Sequence, residues 1–271
     1  MDETLTLSRH KLQTFLICQR RFQLRYLERL PWPESPLSPA FEAAVEHGQR
    51  FHRLLEQHFL GLEVEPDAME ETELHRWWTL FEQSQLQIPH GRVLAELSLT
   101  VPAGRHLLTG RFDLLVTGED EASGEPFAHV FDWKTGQPRA EDELRQDWQT
   151  RLYLAMLAEG GRALWPDGSA AAPDHIAITY WYAADPAAPC TIRYSQAWHK
   201  QNWAEIEALV AQIDGQLAAG DWPLTDDWSH CRHCAYQAYC NRQEAGQAEQ
   251  RIDDDGELDT EAEEWLEPEL P

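Results

Sequence analysis

The chain reads as an α/β protein with a mixed central sheet flanked by helices. Three observations carry that reading. Helical-period segments fill the first third of the chain, and three strand-period segments follow in succession from Val93 to Trp133. A helical segment then separates these from two further strand-like runs, Ile176–Tyr182 and Thr191–Tyr194.

In order along the chain, Ser8 is placed to cap a helix that runs to about Leu30. In it Leu12, Phe15, Leu16, Phe22, Tyr26 and Leu27 recur at helical spacing, and Arg20, Arg21, Arg25 and Arg29 fall on the other side. That basic side is either solvated or turned toward phosphates. Pro31–Pro39 is a proline-rich turn, and helices follow over Ala40–Leu60 and about Glu70–Leu86. The strands Val93–Val101, Leu107–Thr117 and Phe127–Trp133 are joined through turn-rich segments at Pro102–Gly104 and Gly118–Pro126. Helices are expected over Glu141–Glu159 and Gln196–Ala219. No internal repeat is visible.

At 271 residues and 42% hydrophobic content, the chain can bury one sizeable core. We read residues 1–243 as one domain and residues 244–271 as an acidic, disordered tail, since the latter hold twelve acidic residues against the single basic Arg251. No run of apolar residues is long enough for a membrane span, and Met1–Leu7 lacks the pattern of a signal peptide, so a soluble, cytoplasmic protein is expected. The net charge of −25 excludes a broad basic surface for nucleic acid. The first thirty residues nevertheless carry six basic against three acidic groups, so any phosphate contact is local, with Arg20, Arg21 and Arg25 as candidates.

Two strand motifs carry the chemistry. Asp113 lies in Gly110-Arg-Phe-Asp113, and Asp132 and Lys134 lie in Asp132-Trp-Lys-Thr-Gly136. Period two puts Asp132 and Lys134 on one face and Trp133 on the other. If the strand of Asp113 pairs with its successor, two carboxylates converge beside an amine. Such a set supplies hard oxygen ligands for Mg²⁺ or Mn²⁺ and a cation for the charge that grows during phosphodiester hydrolysis. An isolated D-x-K is commoner as a surface ion pair, so its neighbours decide its meaning.

Those neighbours resemble the RecB-like branch of the PD-(D/E)XK nucleases, which includes CRISPR-associated exonucleases and helicase-linked nuclease domains. The resemblance runs from Ser8 to Cys240. It rests on Gly48-x-x-x-His52, on the two strand motifs, and on Gln149-x-x-x-Tyr153, in that order. It implies a restriction-endonuclease-like fold in which His52, Asp113 and Asp132 hold the metal and Asp113, Asp132, Lys134, Gln149 and Tyr153 form the catalytic set. It further implies a DNA exonuclease for single strands or ends, in repair, recombination or CRISPR-type defence, with a helicase or adaptation partner. The alternative is a catalytically silent subunit that kept the fold. Gln149 and Tyr153 are four apart and share a helix face, which also suits plain packing. Glu56, one turn from His52, and Glu96, in the strand before Asp113, are further carboxylates within reach of the same chemistry. Trp133 and Trp148 are candidates for stacking on bases.

Cys231, Cys234 and Cys240 crowd into one short segment, a spacing that suits zinc or an iron–sulfur cluster in a reducing compartment. Cys18 is the fourth candidate. Its surroundings are similar to the first helix of iron–sulfur nucleases, except that Gln19 stands where the family has proline. The resemblance implies a [4Fe-4S] cluster on Cys18, Cys231, Cys234 and Cys240 that staples both chain ends to the nuclease core. Zinc is the alternative occupant, with His230 or His233 replacing Cys18. Cys190 is expected to be a buried thiol outside either set.

Overall fold

A computed structural model describes residues 4–31, 39–64, 72–165, 167–232 and 234–246. The turn expected over Pro31–Pro39 and the expected disordered tail lie mostly outside these residues, as does His233.

The strands are β1 (Thr6–Leu7), β2 (Arg92–Ala103), β3 (His106–Glu119), β4 (Pro126–Lys134), β5 (Ile176–Tyr182) and β6 (Cys190–Arg193). They form one mixed sheet in the order β1-β3-β4-β5-β6, with β2 along the free side of β3. A tight turn at Gly104, whose φ is 59°, folds β2 onto β3 as a long antiparallel hairpin. β3 pairs antiparallel with β4 from Leu114 to Glu119, whereas its first residues take β1 as a parallel neighbour. β4 and β5 are parallel, connected by a helical crossover as parallel strands require. β5 is buried at every residue, the pattern of a strand covered on both faces.

One face is covered by α1 (Arg9–Ile17), the short α5 (Glu141–Gln146), α6 (Trp148–Gly160) and α7 (Gln196–Ala219). α6 is buried on nearly every side between sheet and α7, and eight of its residues are inaccessible. The other face carries α3 (Pro39–Phe59) and α4 (Thr72–Gln83), packed through an aromatic core of Phe51, Trp78, Phe81, Phe131, Trp133 and Trp181. Trp133 stacks on Phe59 at 5.7 Å and is 1% exposed, so it is a core residue and cannot meet a base. Trp148 is only partly buried, and the Arg151 guanidinium lies 4.3 Å over its ring.

The helix expected from Ser8 to Leu30 is not continuous. Ser8 caps α1 as anticipated, accepting from Lys11 N, but Cys18 is extended (φ −161°, ψ 110°) and ends it. A short helix α2 (Gln19–Phe22) restarts immediately and continues into a π-turn, Gln23–Leu27. Gln19 thus sits at the first position of a helix, where proline is tolerated because that N–H needs no intrahelical partner. Cys18 spans the break, its N–H donating to Thr14 and its carbonyl accepting from Phe22. Both chain ends meet here: Trp222 stacks on Phe22, Arg20 N donates to Pro223 O, and Tyr236 Oη donates to Leu30 O.

Candidate active site

Asp113 stands where β3 and β4 part. The ladder between them ends at Leu114–Phe131, one step short of the pair Asp113–Asp132. In place of a ladder bond, the Asp113 carboxylate accepts from Trp133 N at 2.9 Å. The two aspartates expected to converge are therefore neighbours across an opened seam, and Asp113 is held by the strand that carries Asp132 and Lys134.

Asp132 and Lys134 do share a face and are both 1% exposed. Lys134 Nζ lies 2.9 Å from Asp132 Oδ1 and donates to Gln149 Oε1 at 3.2 Å. Gln149 Nε2 closes the triangle by donating to Asp132 Oδ2 at 2.7 Å. A fourth member was not foreseen: Arg9 NH1 also donates to Gln149 Oε1, at 3.2 Å. Gln149 is placed by Asp147, which caps α6 by accepting from Gln149 N and is itself paired with Arg139. Gln149 thus meets both members of the buried pair, while Asp132 Oδ1 faces the Lys134 ammonium as an ion pair without hydrogen-bond geometry.

Tyr153 lies one turn further along α6, edge-on to Phe112 at 4.8 Å. It also explains the glycine that opens the Gly-Arg-Phe-Asp motif. A Cβ on Gly110 would sit 2.9 Å from Tyr153 Cε1, so only glycine lets α6 approach β3 this closely. Burial, and then the neighbouring Asp132 and Asp113, push the Tyr153 phenol above its ordinary range, offset in part by Arg9 and Gln149.

His52 reaches the same point from α3, with Nδ1 3.5 Å from Asp113 Oδ2. Burial disfavours its charge, but the Asp113 carboxylate outweighs burial and raises its pKa; the Asp113 carboxyl is correspondingly held low against its own burial. Glu96 joins them. The β2–β3 register places Ala95 opposite Leu114 and Leu97 opposite Phe112, which puts Glu96 across from Asp113. Its φ of +48° lies in the left-handed region, a strain of about 1–3 kcal/mol for a non-glycine residue. Side-chain alternation breaks at the same step in both strands: Phe112 and Leu97 face α6, whereas Leu114 and Ala95 face α3. Burial and the Asp113 charge lift the Glu96 carboxyl to about 7, against the pull of Arg111, whose Nε is 3.1 Å away.

Among the described residues, one group is arranged to hold a metal ion: His52, Glu96 and Asp113, with ligand atoms all within 4.8 Å of one another. Asp132, expected as a ligand, is not in that group, its carboxylate being engaged by Lys134 and Gln149. Glu56 is outside it as well. Counting outward from the turn at Gly104–Arg105 would have revealed that Glu96 faces Asp113. Nothing local could have revealed Arg9.

The basic helix differs from expectation. Arg25 is 8% exposed, inaccessible to phosphate, and Arg20 pairs with Glu28 at 3.8 Å. Arg21 lines a cavity together with Cys18, Cys231, Cys234, Cys240 and His230. The four cysteines line this one cavity, although among the described residues no three of their sulfurs lie within 4.8 Å of one another. Burial raises the thiols of Cys231, Cys234 and Cys240, and the charge of neighbouring cysteines raises them further, a cost that a bound cation removes. Cys190 is apart, on β6.

A mixed sheet that opens at two acidic strands beside a buried lysine has the ground plan of a metal-using hydrolase. The chain belongs to the PD-(D/E)XK nuclease superfamily, whose model matches residues 6–241, and nucleases of this superfamily use divalent metals. Among solved structures, the chain is similar to a protein named "Putative exonuclease" from Eubacterium rectale, at 10% identity and a TM-score of 0.49, covering 84% of this chain and 87% of that one. It is also similar to SSO0001, at 16% identity and a TM-score of 0.39, covering 88% of this chain and 86% of that one. No curated protein matches the sequence. No helix among the described residues is long and apolar enough to cross a membrane.

Proposed function

We propose that the chain is a Mg²⁺- or Mn²⁺-dependent deoxyribonuclease, an exonuclease working on single strands or at ends, with His52, Asp113 and Asp132 toward the metal and Lys134, Gln149 and Tyr153 completing the site. The observation that carries this reading is the seam between β3 and β4, which presents Asp113 directly beside the buried Asp132–Lys134–Gln149 triangle. When bound, the ion polarises a phosphoryl oxygen and lowers the pKa of water. The chain's own groups do the rest. Lys134 Nζ, held beside Asp132, donates to the phosphate and offsets the negative charge that grows on it. Gln149 fixes the direction of that ammonium, and the Tyr153 hydroxyl stays protonated as a donor. The same reading puts the chain in the cytoplasm, in repair, recombination or CRISPR-type defence beside a helicase or adaptation partner.

It also assigns a [4Fe-4S] cluster to Cys18, Cys231, Cys234 and Cys240. Four thiols on one cavity form a soft donor set that suits the cluster. A second occupant, zinc, is favoured by one specific observation, since His230 lines the same cavity. A brown protein with iron and sulfide supports the first assignment. A colourless one with stoichiometric zinc replaces it.

The test of the function is cleavage of end-labelled single-stranded DNA with Mg²⁺ or Mn²⁺, comparing wild type with Asp132→Ala and Lys134→Ala. Wild type is expected to shorten the strand from its ends and both variants to be inert. If a folded, metal-replete wild type leaves the strand intact, the silent-subunit reading takes its place.

A further inference from the structure

We infer that Arg242 donates a hydrogen bond to the group held by the four cysteines and, with Arg21, offsets its negative charge, setting how readily that group accepts an electron. This rests on the iron–sulfur reading of the cavity and adds residues that the cysteine spacing alone does not name. The positions of the sulfurs suit a group of that size. Sulfurs about 2.3 Å from one tetrahedral zinc stand about 3.8 Å apart. Among the described residues, no three of the cysteine sulfurs lie within 4.8 Å of one another.

Arg242 presents an unmet donor. Its Nη1 is buried and has no hydrogen-bond partner among the described residues. The rest of the guanidinium is fixed, because Nη2 donates to Thr225 O at 3.5 Å and the group lies 4.0 Å from the centre of the Trp228 ring. A buried donor left without an acceptor is costly, more so when it is charged, and a sulfur in the cavity supplies the missing acceptor. The backbone turns Arg242 toward that cavity. Asn241 has a φ of 52°, in the left-handed region that asparagine tolerates, and the reversal lets Arg242 N donate to Gln237 O at 2.9 Å. Gln237 and Arg242 both line the cavity.

Charge points the same way. The cavity is lined by Arg21, Arg242 and His230 and, among the described residues, by no aspartate or glutamate, in a chain of net charge −25. Four thiolates outweigh the positive charge of an iron–sulfur core, and reduction by one electron adds to the excess. Hydrogen bonds to sulfur and nearby positive charge both favour the more negative, reduced form. The two arginines therefore raise the reduction potential.

The experiment is an anaerobic titration of the full, iron-loaded chain with dithionite, which supplies the electron. It is followed by loss of visible absorbance and by electron paramagnetic resonance of the reduced cluster. Iron and sulfide are counted first. Arg242→Met is expected to hold as much iron as wild type and to shift the reduction equilibrium tenfold toward the oxidised form, a midpoint about 59 mV lower. Arg242→Lys keeps the charge without the planar fork and should fall between the two. A wild-type midpoint in iron-replete Arg242→Met overturns the inference and leaves the cluster reading standing. If Arg242→Met loses its iron, Arg242→Gln, uncharged and still a hydrogen-bond donor, is titrated in its place, and a wild-type midpoint there overturns the inference in the same way. A colourless wild-type chain with stoichiometric zinc overturns the cluster reading, and this inference with it.

Discussion

Gln149 Oε1 accepts from two cations, Arg9 and Lys134, and its amide nitrogen donates to Asp132, so its side chain has one orientation only. Arg9 is thereby a positioning residue: it acts on Lys134 through Gln149. Removing a hydrogen bond that involves a charge costs about 1.5–3 kcal/mol, so Arg9→Met is expected to lower kcat for DNA cleavage by tenfold or more. KM should barely change and Arg9→Lys should recover part of the lost rate; a fall in Tm with a loss of rate that Arg9→Lys does not recover would mean that Arg9 serves packing alone. Asp113 offers a complementary separation. Asp113→Asn can still accept from Trp133 N and should keep the fold while abolishing cleavage, whereas Asp113→Leu should lose both, as circular dichroism and a cleavage assay would report.

At the scale of elements, the sheet and α6 are fitted through Gly110. Gly110→Ala would bring Cβ within 2.9 Å of the Tyr153 ring and force α6 off β3. Overpacking of this kind costs about 1–3 kcal/mol, and because α6 also carries Gln149, both Tm and kcat should fall. β4 carries a pH-sensitive contribution of its own. His129 stacks on Phe131 at 4.4 Å and bonds Thr179 at 2.7 Å; burial, aided by Arg193, depresses its pKa from 6.5 to about 4. A histidine with a depressed folded-state pKa stabilises the fold fully above its unfolded value, and that contribution is lost as pH falls from 6.5 through about 4. The whole effect is at most about 3 kcal/mol and smaller for the part that solvent reaches. Urea denaturation at pH 7 and pH 4.5 should therefore show a smaller acid loss for His129→Gln than for wild type.

At the scale of the molecule, α1 links the two candidate centres. It begins at Arg9, bonded to Gln149 of the candidate active site, and ends at Cys18, on the cysteine cavity. Aromatic stacking of Trp222 on Phe22 and the Tyr236–Leu30 bond already join the chain ends, so Cys18→Ser is expected to loosen the clasp without unfolding the sheet. Hydrogen exchange should rise together in residues 9–27 and 222–242 and stay low in β3, β4 and β5. Cleavage should decline too, because α1 positions Arg9. Unchanged exchange in α1 would show that packing alone holds the two ends.

The sequence by itself determined what depends on local periodicity. Strand period put Asp132 and Lys134 on one face, helix period put Gln149 and Tyr153 on another, and close spacing marked Cys231, Cys234 and Cys240. Each of these pairs a residue with a neighbour a few positions away, and backbone geometry alone fixes their relation. Tertiary structure decided the rest. The opening of the β3–β4 seam, the shared kink at Glu96 and Asp113, the break of the first helix at Cys18 and the burial of Arg9 and Arg25 all arise where distant segments meet. Which carboxylate of the site pairs with lysine is an outcome of packing. A sequence supplies the carboxylates, but only the register of the strands and the approach of α1, α3 and α6 assign their partners.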